Sequence, residues 1–140
     1  MDIKKIIREK MNEIANDKQS ASGVLIKCTK TDRIFLLKRN DEKPTWSLMS
    51  GMMEDGENPL ESLRREIKEE LSISSSIIDF NFIDVENDKN GVSTFHYYEG
   101  FVDDEFKPTL DHENLDYGWF KKDELPSPLF NGIRSKVENI

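Results

Sequence analysis

Three glutamates at helical spacing are the residues of this chain best suited to chemistry. Glu66, Glu69 and Glu70 lie three and four positions apart, which places them together on one face of a helix. Like charges at this spacing repel one another, and a helix C-terminus disfavours anions, so helix stability alone does not account for them. Their hard oxygens suit Mg²⁺ or Mn²⁺, with water and substrate phosphates as the remaining ligands. A solvated acidic face is the alternative, because 34% of the residues are charged.

The segment that carries these glutamates is predicted to be a loop followed by a helix. Gly51 and Gly56 allow loop conformations that other residues avoid. Asn58 suits the N-cap, Pro59 suits the first helical position, and Glu61 completes a capping box with Asn58. An apolar stripe at helical period follows, formed by Leu60, Leu63, Ile67 and Leu71. The stripe predicts that one helix face packs against a core while the glutamates lie on another.

The stretch from Gly51 to Ile73 resembles the Nudix box. That pattern is Gly, five residues, Glu, seven residues, then Arg-Glu-U-x-Glu-Glu-x-Gly-U, where U is a bulky aliphatic residue. This chain has Gly51, Glu57, Arg65-Glu66-Ile67, Glu69-Glu70 and Ile73 at the defined positions. Ser72 replaces the second Gly, and Met49-Ser50 replaces the Pro-Gly that often precedes the box. The preceding Trp46-Ser47-Leu48 also resembles the usual lead-in.

The resemblance implies a fold and an activity. The fold is an α/β/α sandwich in which a mixed sheet lies between helices. The activity is metal-dependent hydrolysis of a diphosphate linkage in a nucleoside diphosphate joined to another group, such as ADP-ribose, a dinucleoside polyphosphate or a dinucleotide cofactor, and we favour small ADP-containing compounds slightly. Hydrolysis of nucleoside triphosphates or of RNA 5′ ends stays open. So does a non-catalytic nucleotide sensor on the same fold.

The resemblance also implies roles for individual residues. Mg²⁺, with Mn²⁺ as a substitute, is expected to bind the box glutamates, the backbone carbonyl of Ser50, and a glutamate in a later loop, for which Glu113 is favoured over Asp116. Glu66 and Glu113 are the two candidates for the general base. Arg65 and Glu57 are expected to form an ion pair that supports the loop. Arg39 is expected to contact substrate phosphate, because a basic residue often does so at this place in the family.

Composition sets limits on the class of protein. A chain of 140 residues is long enough for one domain, predicted to span residues 1–140, with a real core. Its formal net charge of −8 argues against non-specific binding to nucleic acid or membranes. The single cysteine, Cys28, fits a reducing compartment and a place in the core, and we therefore expect a cytoplasmic protein. The N-terminus lacks the long apolar run of a signal peptide or membrane span.

Periodicity predicts the remaining elements. Residues 2–18 form an amphipathic helical extension with apolar residues at helical spacing, expected to pack on the domain or on a second subunit of a homodimer. A polar connection is expected over 16–22. Strands are predicted over 23–30, 33–39, 77–86, 92–102 and 117–120, the first two as a hairpin, and a closing helix from residue 128 onward. Trp46 is expected in the core. In the strand over 92–102, Phe95 and Tyr97 share one face, while His96 and Tyr98 share the other.

Overall fold

A computed structural model describes residues 2–4, 6, 19–87, 90–91 and 93–140. The helical extension predicted over residues 2–18 lies outside this part of the chain, apart from residues 2–4 and 6, and it stays a prediction. Within the described ranges, no helix has both the length and the apolar character needed to cross a membrane.

Seven strands and two α-helices make up the described fold. The strands are β1 (Gln19–Cys28), β2 (Ile34–Arg39), β3 (Trp46–Ser47), β4 (Met49–Met52), β5 (Asp79–Asn87), β6 (Ser93–Val102) and β7 (Asn114–Phe120). The helices are α1 (Pro59–Leu71) and α2 (Ile133–Asn139), with one turn of 3₁₀-helix over Ser75–Ile77. The closing helix therefore begins later than residue 128, where the sequence predicted it.

The strands form one mixed sheet, as predicted. β1 lies at its centre and pairs in parallel with β6 along its whole length, from Gln19 opposite Ser93 to Cys28 opposite Val102. On its other edge β1 pairs antiparallel with β4 over its first half and with β2 over its second half, which confirms the predicted β1–β2 hairpin. β7 and β3 extend the sheet from β2, and β5 pairs antiparallel with β6.

Two strands begin three or more residues earlier than the sequence predicted. The segment 19–22 was expected to belong to a polar connection, yet it forms the beginning of β1. Its main chain pairs with β6 on one side and β4 on the other, and these main-chain bonds do not depend on side-chain polarity. β7 begins at Asn114 rather than Tyr117, because a register shift lets Asn114 pair with Arg39.

Each face of the sheet carries its own apolar core. On one face, Leu63, Ile67 and Leu71 of α1 are fully buried among side chains of β1, β2 and β6, as the apolar stripe predicted. On the other face, Ile133 and Val137 of α2 pack with side chains that include those of Leu25, Trp46 and Tyr97. The α/β/α arrangement expected from the sequence is confirmed. Cys28 and Trp46 are buried in these cores, as expected.

The ends of α1 follow its sequence. The Asn58 side chain accepts a hydrogen bond from the Glu61 backbone N–H at 2.9 Å, and its amide donates to the Glu61 carboxylate at 2.7 Å. Ser72 ends the helix in the left-handed conformation, with φ 54° and ψ 37°, and its N–H donates to the Lys68 carbonyl. Glycine adopts this conformation without the steric penalty that a Cβ atom brings.

We therefore expect Ser72→Gly to stabilise the protein by up to about 1 kcal/mol, because it removes the penalty of a side chain in the left-handed region. Urea denaturation followed by circular dichroism measures the change. Ser72→Ala is the matched control, since it keeps the Cβ atom and should not stabilise the protein. Equal stability of the glycine variant and the wild type would show that Ser72 adopts its conformation without strain.

Candidate active site

A cavity of about 810 Å³ opens at one end of the sheet, between α1 and α2. Strands β1, β2, β4, β5 and β6 contribute to its walls, as do both helices and the loop that precedes β7. Five residues predicted for the site line it, namely Arg39, Ser50, Glu66, Glu70 and Glu113. These residues come from four separate parts of the sequence, and the fold brings them to one place.

Three carboxylates meet on the α1 side of the cavity. Glu66, Glu70 and Glu113 each offer an oxygen within 4.8 Å of the other two. Only 9% of Glu66 and 4% of Glu70 is exposed, whereas Glu113 is exposed. Because two of these neighbouring anionic groups are shielded from water, they repel one another strongly unless a cation or a proton neutralises them.

Glu70 has the most unusual environment of the three. Its Oε1 accepts a hydrogen bond of 2.9 Å from the buried Asn114 amide, while its Oε2 is buried without a donor among the described residues. Burial raises the pKa of Glu70, and the neighbouring Glu66 raises this pKa further. A buried carboxylate oxygen that lacks a donor, beside two more carboxylates, fits the ligand set of a hard divalent cation such as Mg²⁺.

Gly51 allows the Glu66 carboxylate to approach strand β4. A Cβ atom added at position 51 would lie 2.3 Å from Cδ of Glu66 and 2.7 Å from its Oε1. These contacts are too short for any side chain to be tolerated without movement. A side chain at position 51 would therefore displace the Glu66 carboxylate, which occupies the space next to the glycine.

Arg65 fixes the loop and the carboxylates relative to each other. Its guanidinium donates two hydrogen bonds to Glu57, at 2.7 and 3.0 Å, which confirms the predicted ion pair. It also donates to the Met52 carbonyl, to Glu66 Oε1 at 2.8 Å and to Glu69 Oε2 at 3.1 Å. The hydrogen bonds from Arg65 lower the pKa of Glu57, so this carboxylate stays charged. One side chain thus connects the start of the loop to the acidic face of α1.

Hydrogen bonds from two directions position the main chain around Glu113. Asn40, at the end of β2, donates its N–H to the Glu113 carbonyl and its side-chain amide to the His112 carbonyl, both at 2.9 Å. The N–H of Asp111 donates to the Glu70 carbonyl at 3.2 Å. The loop is therefore tied both to β2 and to the end of α1, which brings residue 113 beside residues 66 and 70.

The other predicted site residues lie nearby but outside this group. The Glu69 side chain is 55% exposed and binds Arg65 instead of joining the three carboxylates. Ser50 borders the cavity on β4, and Arg39 borders it while paired with Asp41 at 3.0 Å. Asp116, the alternative to Glu113, is exposed on β7 and its carboxylate accepts the N–H of Tyr117. The catalytic and metal-binding roles of all these residues stay predictions.

Sequence reasoning missed several cavity residues. Asn114 was not singled out, although its amide is the hydrogen-bond donor to Glu70. Glu86, Phe130 and Lys136 also border the cavity, as does Phe95, which the sequence placed on one face of its strand without assigning it to the site. None of these belongs to a local motif, and Asn114 and Glu70 are 44 positions apart. Their common location arises only when the sheet forms, so no spacing in the sequence could have indicated it.

Gly51→Ala tests whether the close approach of Glu66 matters for cation binding. We expect Mn²⁺ affinity to fall about 10-fold or more, because the new methyl group displaces a predicted ligand. Electron paramagnetic resonance of free Mn²⁺ measures the affinity. Gly56→Ala is the control: position 56 has φ +83° and open space around it, so that variant should lose only stability. Unchanged affinity in Gly51→Ala would contradict the assignment of Glu66 as a ligand.

Glu70→Gln tests the electrostatic cost of the cluster. Because the pKa of Glu70 is raised, the metal-free folded state loses stability as the pH rises above about 4.5, the ordinary value for this group. We expect metal-free Glu70→Gln to exceed the wild type in stability at pH 8 by about 1 kcal/mol or more, the equivalent of one pKa unit. The difference should disappear near pH 4.

Urea denaturation in the presence of a chelator, at both pH values, measures the effect of Glu70→Gln. Glu69→Gln is the matched control, since the Glu69 side chain is 55% exposed and should change stability by less than about 1 kcal/mol. If Glu70→Gln is no more stable than the wild type at pH 8, the buried carboxylate carries no such cost.

Comparison with known proteins places this architecture. The NUDIX domain family model matches residues 17–139. Dihydroneopterin triphosphate diphosphatase of Escherichia coli K12 is 36% identical over 50 residues, which are 36% of this chain and only 33% of the length of that relative.

Two solved structures resemble the fold as a whole. A Caenorhabditis elegans Ap4A hydrolase has a TM-score of 0.71 at 17% identity, over 85% of this chain and 93% of its own. A MutT NUDIX hydrolase from Burkholderia pseudomallei has a TM-score of 0.68 at 25% identity, and the match covers 88% of this chain and 98% of that one. With the family match extending over nearly the whole chain, the protein belongs to the NUDIX domain family.

Proposed function

We propose that the protein is a metal-dependent hydrolase that cleaves a P–O–P bond in a nucleoside diphosphate joined to another group. The observation that carries this proposal is the convergence of Glu66, Glu70 and Glu113 within 4.8 Å, with one buried Glu70 oxygen that receives no hydrogen bond from any residue the structure describes. The similar proteins point the same way, because the compounds in their names, Ap4A and dihydroneopterin triphosphate, both contain phosphoric anhydride bonds.

The proposed cation ligands are Glu66, Glu70 and Glu113, with the Ser50 carbonyl and Glu69 as further predicted ligands. Carboxylate and carbonyl oxygens favour Mg²⁺, and Mn²⁺ can take its place. Such a cation supplies positive charge that offsets the phosphate oxygens and makes a water molecule more acidic. A protein with a net charge of −8 needs such charge compensation to bring a polyphosphate against its carboxylates.

The side chains around the cavity have distinct proposed tasks. Arg39 at the cavity border can donate to substrate phosphate oxygens, which requires that it leave its exposed partner Asp41. Glu66 and Glu113 are the candidates for accepting the proton of the attacking water. The Glu66 carboxylate is held by a hydrogen bond from Arg65, whereas Glu113 is exposed and can move toward substrate. Arg65 and Glu57 support these groups without touching substrate.

Three further properties belong to this proposal. We place the protein in the cytoplasm, because its single cysteine is buried and unpaired. Residues 1–140 form a single domain in this proposal. A homodimer is proposed on family grounds, with the helical extension as one candidate contact.

A hydrolysis panel tests the proposed function. The panel contains ADP-ribose, diadenosine polyphosphates, NADH, FAD, nucleoside triphosphates and capped RNA, each with Mg²⁺ or Mn²⁺, and chromatography identifies the products. We expect cleavage at a P–O–P bond that a chelator abolishes and that Glu70→Gln reduces by about 10²-fold or more, because a cation ligand is lost.

Glu61→Gln is the matched control for this panel. Glu61 lies on the same helix but away from the cluster, and glutamine retains the capping box, so activity should be unchanged. The hydrolase proposal fails if the folded protein binds nucleotides but hydrolyses no substrate of the panel in the presence of Mg²⁺ or Mn²⁺. A nucleotide sensor would then take its place.

A further inference from the structure

The cavity has a second wall, formed by β5, β6 and α2, which the carboxylate cluster does not use. Glu86 of β5, Phe95 of β6, Lys136 of α2 and Phe130, which precedes α2, all border it. None of these residues belongs to the Arg65 network or to the group of three carboxylates. A wall with two charged and two aromatic side chains can recognise the part of a substrate that carries no phosphate.

The ion pair in this wall differs from an ordinary surface pair. Lys136 Nζ donates to Glu86 Oε1 and lies 4.6 Å from the ring centroid of Tyr97. The Lys136 side chain is only 19% exposed and that of Glu86 is 45% exposed. The exposed pair of Lys30 and Asp104 has values of 65% and 76%. The ring and the carboxylate therefore fix the Lys136 ammonium in place, beside an acceptor, at the border of the cavity.

Aromatic side chains lie next to this pair. Phe130 borders the cavity and is 51% exposed, so its ring is accessible to a ligand there. Phe95 is the cross-strand partner of Glu86 and borders the same cavity. The faces of such rings stack well on planar heterocycles. The wall thus combines apolar surface for a flat ring with one fixed donor and one acceptor for its edge.

We propose that this wall binds a planar ring whose edge presents a carbonyl oxygen next to N–H donors, as in guanine or a pterin. It discriminates against adenine, which reverses the slight preference for ADP-containing compounds drawn from the sequence. Lys136 donates to the carbonyl oxygen, and Glu86 accepts from the adjacent ring N–H and amino group. Adenine reverses this pattern, since it turns an amino group toward Lys136 and a ring acceptor toward Glu86. Both charged groups would then lose their ring partners inside the cavity.

This inference deepens the proposed function and rests on it, because the ring is taken to be part of the substrate that is cleaved at the same site. Matched substrates that differ only in the base test it, namely GTP with ATP and GDP-glucose with ADP-glucose. We expect kcat/KM to favour the guanine member of each pair by about 10²-fold or more, since a site built for hydrogen bonds rejects an edge that cannot form them.

Variants assign the preference to the two side chains. Glu86→Gln and Lys136→Met should each lower kcat/KM for the guanine substrate about 10-fold or more and change that for the adenine substrate less than about 3-fold. Lys30→Met and Asp104→Asn remove the exposed pair and are the controls. We expect them to leave kcat/KM unchanged for both substrates. Thermal unfolding verifies folding of Lys136→Met, and Glu86→Gln, which preserves shape, provides an independent test.

Equilibrium binding separates this inference from the proposed function. Isothermal titration of GDP and ADP in the presence of Mg²⁺ needs no turnover. Tighter binding of GDP that Glu86→Gln abolishes supports the ring preference even if no substrate is hydrolysed, an outcome that contradicts only the hydrolase. Turnover without a guanine preference, equal binding of GDP and ADP, or a preference that Glu86→Gln leaves unchanged would overturn the ring assignment.

Discussion

Repulsion among closely packed carboxylates is the constraint on which the rest of the site depends. Glu66, Glu70 and Glu113 approach within 4.8 Å, and Glu70 is almost completely buried. Such an arrangement destabilises a protein without a cation, since each charge raises the free energy of its neighbours and burial removes the water that would screen them. Three neighbouring groups hold the carboxylates in this arrangement. Arg65 donates a hydrogen bond to Glu66, Asn114 donates one to Glu70, and Gly51 leaves room for the Glu66 carboxylate. In the proposed function, a bound cation would relieve this unfavourable electrostatic energy.

The two helices lie on opposite faces of the sheet and line different walls of one cavity. One face of α1 anchors the helix through fully buried Leu63, Ile67 and Leu71, so its acidic face is presented rigidly to the cavity. Because α2 packs on the opposite face of the sheet, its Lys136 reaches the same cavity from the other side. Side chains of α1 and α2 can line the same cavity without any direct contact between the two helices. The end of the central sheet brings their side chains together around one cavity. Under the two proposals, the wall by α1 would carry out the reaction and the wall by α2 would select the substrate.

Local sequence was sufficient for much of the fold and for the core of the site. The capping box and apolar stripe predicted α1, the repeated β-branched and aromatic runs predicted the longer strands, and the fixed spacing of the box placed Glu66 and Glu70 on one helical face. Where prediction failed, tertiary pairing was responsible. The segment 19–22 was predicted as a polar connection because of its polar side chains. It forms part of β1 because its main chain pairs with strands on both sides. Periodicity carries no information about which main-chain edges will be available.

The sequence by itself determined which residues could bind a cation, because a helix places residues three and four apart on one face whatever surrounds it. The sequence also showed that Ser72 stands at the box position usually taken by Gly, and Ser72 adopts the left-handed conformation that Gly favours at a helix end. Only the tertiary structure decided that Glu113, rather than Glu69, meets Glu66 and Glu70, and that Asn114, Glu86 and Lys136 join the cavity. Those contacts link segments separated by tens of residues, and their distances are set by sheet pairing and helix packing, which no short stretch of sequence encodes.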